Sequence, residues 1–415
     1  MTNNPYAALK IRDFRLLLSS RLLVTIAMQI LSVAVGWHIY ALTKDPLALG
    51  LVGLAEAFPA IGIALYAGHV ADMIDRRLIA LGAVSILTMS LILLSVCSAI
   101  GVNKELLIVA IYIGMALSGL GRGFYAPAVF GILADIVPRD LYGNAIAWNT
   151  MLWQGSAIIG TVLGGMLYIW VAPAATYAIS AILLAIAFGC FLSIKSRTVL
   201  VPKERVSVSE NIKEGLRFVF SNEVMLGAMA LDLFAVLFGG AVALLPIYTA
   251  EVFHLGPQAL GLLRAAPPVG ALLMAMMLTH RPIADNAGKV LLSVVAGFGV
   301  CMICFGVSTN FYFSLFLLAL SGALDGISVW IRTNIFQLIT PSGMKGRVSA
   351  VNSIFIGSSN EIGEFESGVT ARLMGLVPSV VFGGCMTLMV VLTTCFKAPK
   401  LVGLHLRHLY KEQKA

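Results

Sequence analysis

Twelve apolar runs, each near or above the roughly 20 residues that a membrane-spanning helix needs, follow one another along this chain, from 14–42 to 378–396. Short polar breaks separate them, and a single long break, residues 195–222, divides them six and six. Hydrophobic residues make up 59% of the 415 and charged residues 12%, about half the charge of a soluble domain. A water-soluble fold is excluded. The pattern predicts an all-α polytopic membrane protein of twelve transmembrane helices: a six-helix bundle over 1–194, a cytoplasmic linker over 195–222, a second bundle over 223–396 and a basic cytoplasmic tail over 397–415. In the linker, Ser207 to Glu210 has capping-box spacing ahead of Ile212, Leu216 and Phe218, which predicts a short amphipathic helix on the membrane surface.

The two bundles are related. A shift of 203 residues lays Ser118-Gly119 on Ser321-Gly322, Pro138 on Pro341, Asn149 on Asn352, Gly160 on Gly363 and Gly165 on Gly368. A shift of 211 lays Ala48 to Leu51 on Ala259 to Leu262. Two pseudo-symmetric halves in parallel repeat are a layout of secondary transporters, with the substrate site near the midplane.

Loop charge sets orientation. With the N-terminus inside, the cytoplasmic segments hold 21 basic residues, while the outer loops hold only Lys44 and Lys104. This is the positive-inside pattern, and it predicts both termini in the cytoplasm. The net charge of +8 therefore reports topology and implies no nucleic-acid partner. The six cysteines lie in apolar runs, and Cys301 to Cys304 has CxxC spacing with no second pair, so neither a metal nor a cofactor is expected. The polar stretch from Met1 to Arg15 predicts no cleavable leader.

Gly68-His-Val-Ala-Asp72-Met-Ile-Asp75-Arg76-Arg77, between the second and third runs, resembles the signature loop of the major facilitator superfamily. Asp75 stands where that family usually has Gly, as in the branch of enterobactin exporters and drug:proton antiporters. Gly155 through Gly160-Thr161 to Gly164-Gly165 in the fifth run is similar to the antiporter motif, with Thr161 in place of its proline. The resemblance implies a transporter working by alternating access, a multi-pass monomer of the bacterial inner membrane. Its partners are the lipid bilayer, a small-molecule substrate and protons, and its activity is efflux by antiport of a siderophore or hydrophobic drug, as in multidrug exporters. Uptake by proton symport is the alternative. A lipid flippase or a membrane enzyme is the alternative of another class, and no GxSxG, HExxH or Walker motif supports an enzyme or an ATPase. The resemblance also implies that Asp72 packs near the start of the eleventh helix, whose exposed N–H groups favour a carboxylate; a solvated loop is the other reading.

Ionisable side chains inside a bilayer are expensive and point to function. Eleven stand in the runs: Arg21, Arg122, Arg264, Arg332, Arg372, Glu56, Asp232, Asp325, Glu361, Glu364 and Glu366. The shifts carry Arg21 onto Asp232 and Arg122 onto Asp325. Two arrangements follow: Arg122 with Asp325 and Arg21 with Asp232 as pairs between halves on the cytoplasmic side, or each charge neutralised within its own half. Glu56 and Arg264 form a matching outer pair, or pack within a half. In the eleventh run, Glu361 and Glu364 share a face and Glu366 points elsewhere. Crowded carboxylates at low dielectric take up and release protons readily; the alternatives are ion pairing with Arg21, Arg264 or Arg332, or direct binding of a cationic substrate. Gln29, Asn149, Trp153, Gln154, Trp330 and Asn334 are candidate substrate-cavity residues. His38 reads as a satisfied interfacial histidine.

Overall fold

The computed structural model describes residues 6–195, 208–239, 241–280, 283, 285–341 and 344–407. Six long helices come first: α1 (Arg12–Thr43), α2 (Pro46–Met73), α3 (Arg76–Ile100), α4 (Lys104–Ile136), α5 (Tyr142–Trp170) and α6 (Ala172–Ser193). The linker helix α7 (Val208–Ser221) follows. The seventh span is broken: α8 (Glu223–Phe238) gives way to a 3-10 turn at Ala241–Leu244, the short α9 (Leu245–Ile247) and a π turn at Tyr248–Val252. Then come α10 (Pro257–His280), α11 (Ala287–Val307), α12 (Phe311–Ile339), α13 (Lys345–Met374), α14 (Leu376–Lys397) and the short α15 (Pro399–Val402).

Eleven of these segments, the broken seventh counted as one, are long and apolar enough among the described residues to cross a membrane. The twelfth, α13, has the length, at 30 residues, but carries Glu361, Glu364 and Glu366 in its middle. Side-chain caps start the helices where the chain turns back. Asp75, Asn103, Asn222 and Asn310 each accept a hydrogen bond from a backbone N–H in the following turn, satisfying donors that a helix start leaves open.

The repeat is visible in the boundaries. Pro46 opens α2 and Pro257, 211 residues on, opens α10; Tyr142 opens α5 and Lys345, 203 residues on, opens α13. Packing repeats too: α3 on α4, α1 on α5 and α6, and α3 on α6 are matched by α11 on α12, α8 on α13 and α14, and α11 on α14. Two compact units result. The N-terminal unit comprises Met1–Lys44, Leu51–Glu204 and Leu255–Ala265; the C-terminal unit comprises Asp45–Gly50, Arg205–His254 and Ala266–Ala415.

Between lipid-embedded helices the hydrophobic effect gives little drive, so close packing of small residues holds them. A Cβ on Gly119 of α4 would lie 1.9 Å from the Glu56 carbonyl oxygen on α2, and one on its repeat mate Gly322 of α12 would lie 2.0 Å from the Pro267 carbonyl oxygen on α10. Both positions are closed to any side chain.

The linker helix packs on its neighbours. Val219 of α7 is fully buried in a cluster with Met225, Met229, Val348 and Val351, joined by Leu216 and Phe218, and Glu214 pairs with Arg347 at the start of α13. Its apolar face is covered by α8 and α13 of the C-terminal unit.

Candidate functional site

In the N-terminal unit, Arg122 Nη1 on α4 lies 2.8 Å from Glu56 Oε1 on α2, and the Ser118 hydroxyl donates to the same oxygen at 3.0 Å. The spacing of Ser118 and Arg122, four residues apart on one helix, puts both on the face toward α2. Arg21 on α1 is close enough to Tyr125 on α4 for an electrostatic interaction, and the Tyr125 ring stacks edge-on against Phe191. Arg264 donates to the Ser32 hydroxyl within the same unit.

In the C-terminal unit a different cluster forms. Arg332 on α12 pairs with Asp232 on α8, lies 3.7 Å from Asp325 one helical stretch earlier on α12, and donates from Nε to the Ser328 carbonyl at 3.3 Å. Arg332 and Asp232 are buried, while Asp325 is half-exposed. Of the two expected arrangements, the contacts seen are those within a half: Glu56 takes Arg122 in the N-terminal unit, and Asp232 and Asp325 share Arg332 in the C-terminal unit. The physical reason is that an intramembrane charge is neutralised by the nearest partner its own packed helices bring within reach.

Beside this cluster a cavity of about 300 Å³ is recessed into the C-terminal unit. Asp232, Gly239, Ala241 and Val242 from the broken seventh span, Pro267 from α10, Phe298 and Met302 from α11, Leu318, Ser321, Asp325 and Ser328 from α12, and Asn360 and Glu364 from α13 all line it. Its wall is mainly apolar, and its polar groups are carboxylates, hydroxyls and an amide. Glu364 reaches it together with Asn360, one turn earlier, whereas Glu361 and Glu366 are half-buried and are not among the described lining residues.

The signature loop is a staple. Gly68 and Asp72 fall in the last turns of α2, and their side chains lie outside the described residues. Asp75 caps α3. Arg76 pairs with Asp135 at 2.7 Å and donates to the Gly131 carbonyl at the end of α4. Arg77 donates to the carbonyls of Phe191, at 2.9 Å, and Leu192 in the last turn of α6, where the helix dipole favours a cation.

The other candidates are scattered. Gln29, Asn149, Trp153 and Gln154 sit on α1 and α5 of the N-terminal unit, with Trp153 exposed and Asn149 Oδ1 buried without a hydrogen-bond partner among the described residues. Asn334 donates to the Trp330 carbonyl on its own helix at 2.8 Å, and Trp330 packs on the core of the C-terminal unit. None of these six is among the described residues lining the cavity. His38 is buried, with Nδ1 3.1 Å from the Tyr177 hydroxyl. Arg372 on α13, another of the eleven ionisable residues, pairs with Asp45 at 3.1 Å within the C-terminal unit. No group of metal-ligating residues is found among the described residues.

A family described as "transmembrane secretion effector" matches residues 3–407. Among curated proteins, an uncharacterized MFS-type transporter YfiS of Bacillus subtilis is 25% identical over 86% of this chain and 85% of its own. The enterobactin exporter EntS of Citrobacter koseri is 26% identical over 89% and 88%. Among solved structures, the nucleoside transporter NupG superposes with a TM-score of 0.70 at 13% identity, covering 93% of this chain and 99% of that one. A bacterial homologue of the lysosomal transporter Spinster gives the same TM-score and identity over 95% and 97%.

Proposed function

The chain belongs to the transmembrane secretion effector family of the major facilitator superfamily, whose members are multi-pass secondary transporters of small molecules working by alternating access, and from that premise we propose that it exports a small organic molecule in exchange for protons. The observation that carries this reading is the cavity of the C-terminal unit, where Asp232, Asp325 and Glu364 converge, with Arg332 paired to Asp232 and 3.7 Å from Asp325. Carboxylates gathered in a low-dielectric site take up protons, and an incoming substrate displaces them. Asp325 and Glu364 are the proton carriers in this reading, Asp232 is paired with Arg332, and Glu361 and Glu366 supply further acids on α13. The likeness to a protein named an enterobactin exporter supports a siderophore as cargo, and the apolar wall supports a hydrophobic drug. The basic loops support both termini in the cytoplasm, and the likeness to bacterial transporters supports a place in the inner membrane.

The test is proton flux in reconstituted vesicles with an imposed pH gradient, after comparison of the compounds secreted by cells with and without the protein has supplied the cargo. Cargo added to the cytoplasmic side is expected to release protons in the wild type, with at least tenfold less in Asp325→Asn and Glu364→Gln. Cargo movement that ignores the pH gradient removes the coupling, and cargo moving with the protons reverses the direction to uptake.

A further inference from the structure

Inside its spans the N-terminal unit is the basic one. Of the eleven ionisable residues it holds Arg21, Arg122 and Arg264 against Glu56. Glu56 takes Arg122, and Arg264 donates to the Ser32 hydroxyl. Arg21 makes neither an ion pair nor a hydrogen bond among the described residues, and its electrostatic neighbour is Tyr125. A guanidinium held in a membrane span without a counter-charge is costly, and such residues mark function.

Tyr125 is in the same condition: its hydroxyl oxygen is buried with no hydrogen-bond partner among the described residues. Helix register brings the two together. The Ser118 hydroxyl on α4 meets the Met28 sulfur on α1 at 3.9 Å, and seven residues from that contact, about two turns, lie Tyr125 onward along α4 and Arg21 back along α1. The first and fourth spans run in opposite senses, so these residues stand opposite one another. Phe191 packs edge-on against the Tyr125 ring and holds it in place. The repeat marks the same position: the equivalents of Arg21 and Tyr125, Asp232 and Ser328, line the cavity of the C-terminal unit, with charge of the opposite sign.

We propose that Arg21 and Tyr125 form a binding site for the carboxylate of an organic monoanion. The guanidinium N–H groups donate to one carboxylate oxygen and the Tyr125 hydroxyl to the other, so one ligand satisfies an unpaired charge and an unused donor together. A single guanidinium balances a single negative charge, which selects a carboxylate over a phosphate dianion. Arg21 is half-buried, and the ligand approaches its exposed side. As a binding site this stands whatever drives transport; that the bound carboxylate belongs to the cargo rests on the transport reading.

The full-length protein in nanodiscs of zwitterionic phosphatidylcholine is titrated calorimetrically at neutral pH with phenylpropionate, with phenylpropionamide as the neutral isostere and benzyl phosphate as the dianion. Phenylpropionate is expected to bind at least tenfold tighter than either. Arg21→Gln is expected to weaken it at least tenfold, and Tyr125→Phe at least threefold. Melting without ligand gives a readout that a structural role would move the other way. Removing an unpaired charge or an unsatisfied hydroxyl is expected to leave both variants at least as stable as the wild type, whereas loss of an arginine that ties helices together lowers stability. Four results overturn the proposal: equal binding of acid and amide, tighter binding of the phosphate, unchanged binding in Arg21→Gln, or a melting temperature lowered in that variant by more than about 5 °C. Proton flux in vesicles separates this from the transport reading: carboxylate binding without proton exchange keeps the site and removes antiport, while proton-driven export with acid and amide bound equally does the reverse.

Discussion

The two six-helix units share a plan and differ in what fills it. On the N-terminal side, Glu56, Arg122 and Ser118 bridge α2 and α4 directly, at the level where Gly119 brings the two backbones together. On the C-terminal side, Gly322 brings α10 and α12 equally close, but the corresponding Pro267, Asp325 and Ser321 leave a recess, and the charge balance moves to Arg332. The backbone contact is therefore what the repeat preserves, and the polar chemistry is what each copy is free to change.

The largest effect tests the preserved part. Gly119→Val and Gly322→Val each push a side chain into a carbonyl oxygen, and both are expected to lose about 3 kcal/mol or more, seen as loss of monodisperse protein after solubilisation. A large loss in one unit alone breaks the equivalence. Next comes the charge that differs. Arg332→Met strands the buried Asp232 with Asp325 nearby and is expected to cost about 3–5 kcal/mol, as for other broken buried pairs. Arg122→Met leaves Glu56 with the Ser118 hydroxyl and a more open setting, so its loss is expected to be less than half as large in the same melting assay.

Smaller effects sharpen the contrast at the helix ends. Arg77→Gln removes a cation from the last carbonyls of α6 and is expected to lower stability by about 1 kcal/mol. Glu214→Gln breaks a solvent-facing pair with Arg347 and is expected to shift stability by less than about 1 kcal/mol, while truncating Val219 in the buried cluster beneath it costs more.

Much of this plan was legible in the residues. Apolar length, the six-plus-six division and the offsets of 203 and 211 carried the helix boundaries, because membrane spans must be long and apolar whatever their partners. Partner choice was less legible. Arg332 was in view as an intramembrane charge, but its repeat mate is Val129, so symmetry gave it no role; its spacing of seven from Asp325, two turns along one face, was the available signal. Asn360, four residues before Glu364, carries no charge and so gives less signal in a membrane span than Glu361. The seventh span breaks after Gly239, the C-cap of α8, yet the run reads as continuous because hydropathy is blind to backbone geometry. The apolar face of α7 was plain, but periodicity does not say whether lipid or protein covers it.

That docked helix has a mechanical consequence. α7 is seated on the first turns of α13 through Glu214, Gly215 and Val219, and Glu364 lies on the same helix 17 residues beyond Arg347, about 25 Å along its axis. α7 and the recess thus sit at two stations on one continuous helix. A fluorophore on the exposed face of α7 is expected to report any movement of α13 without a label inside its apolar stretch.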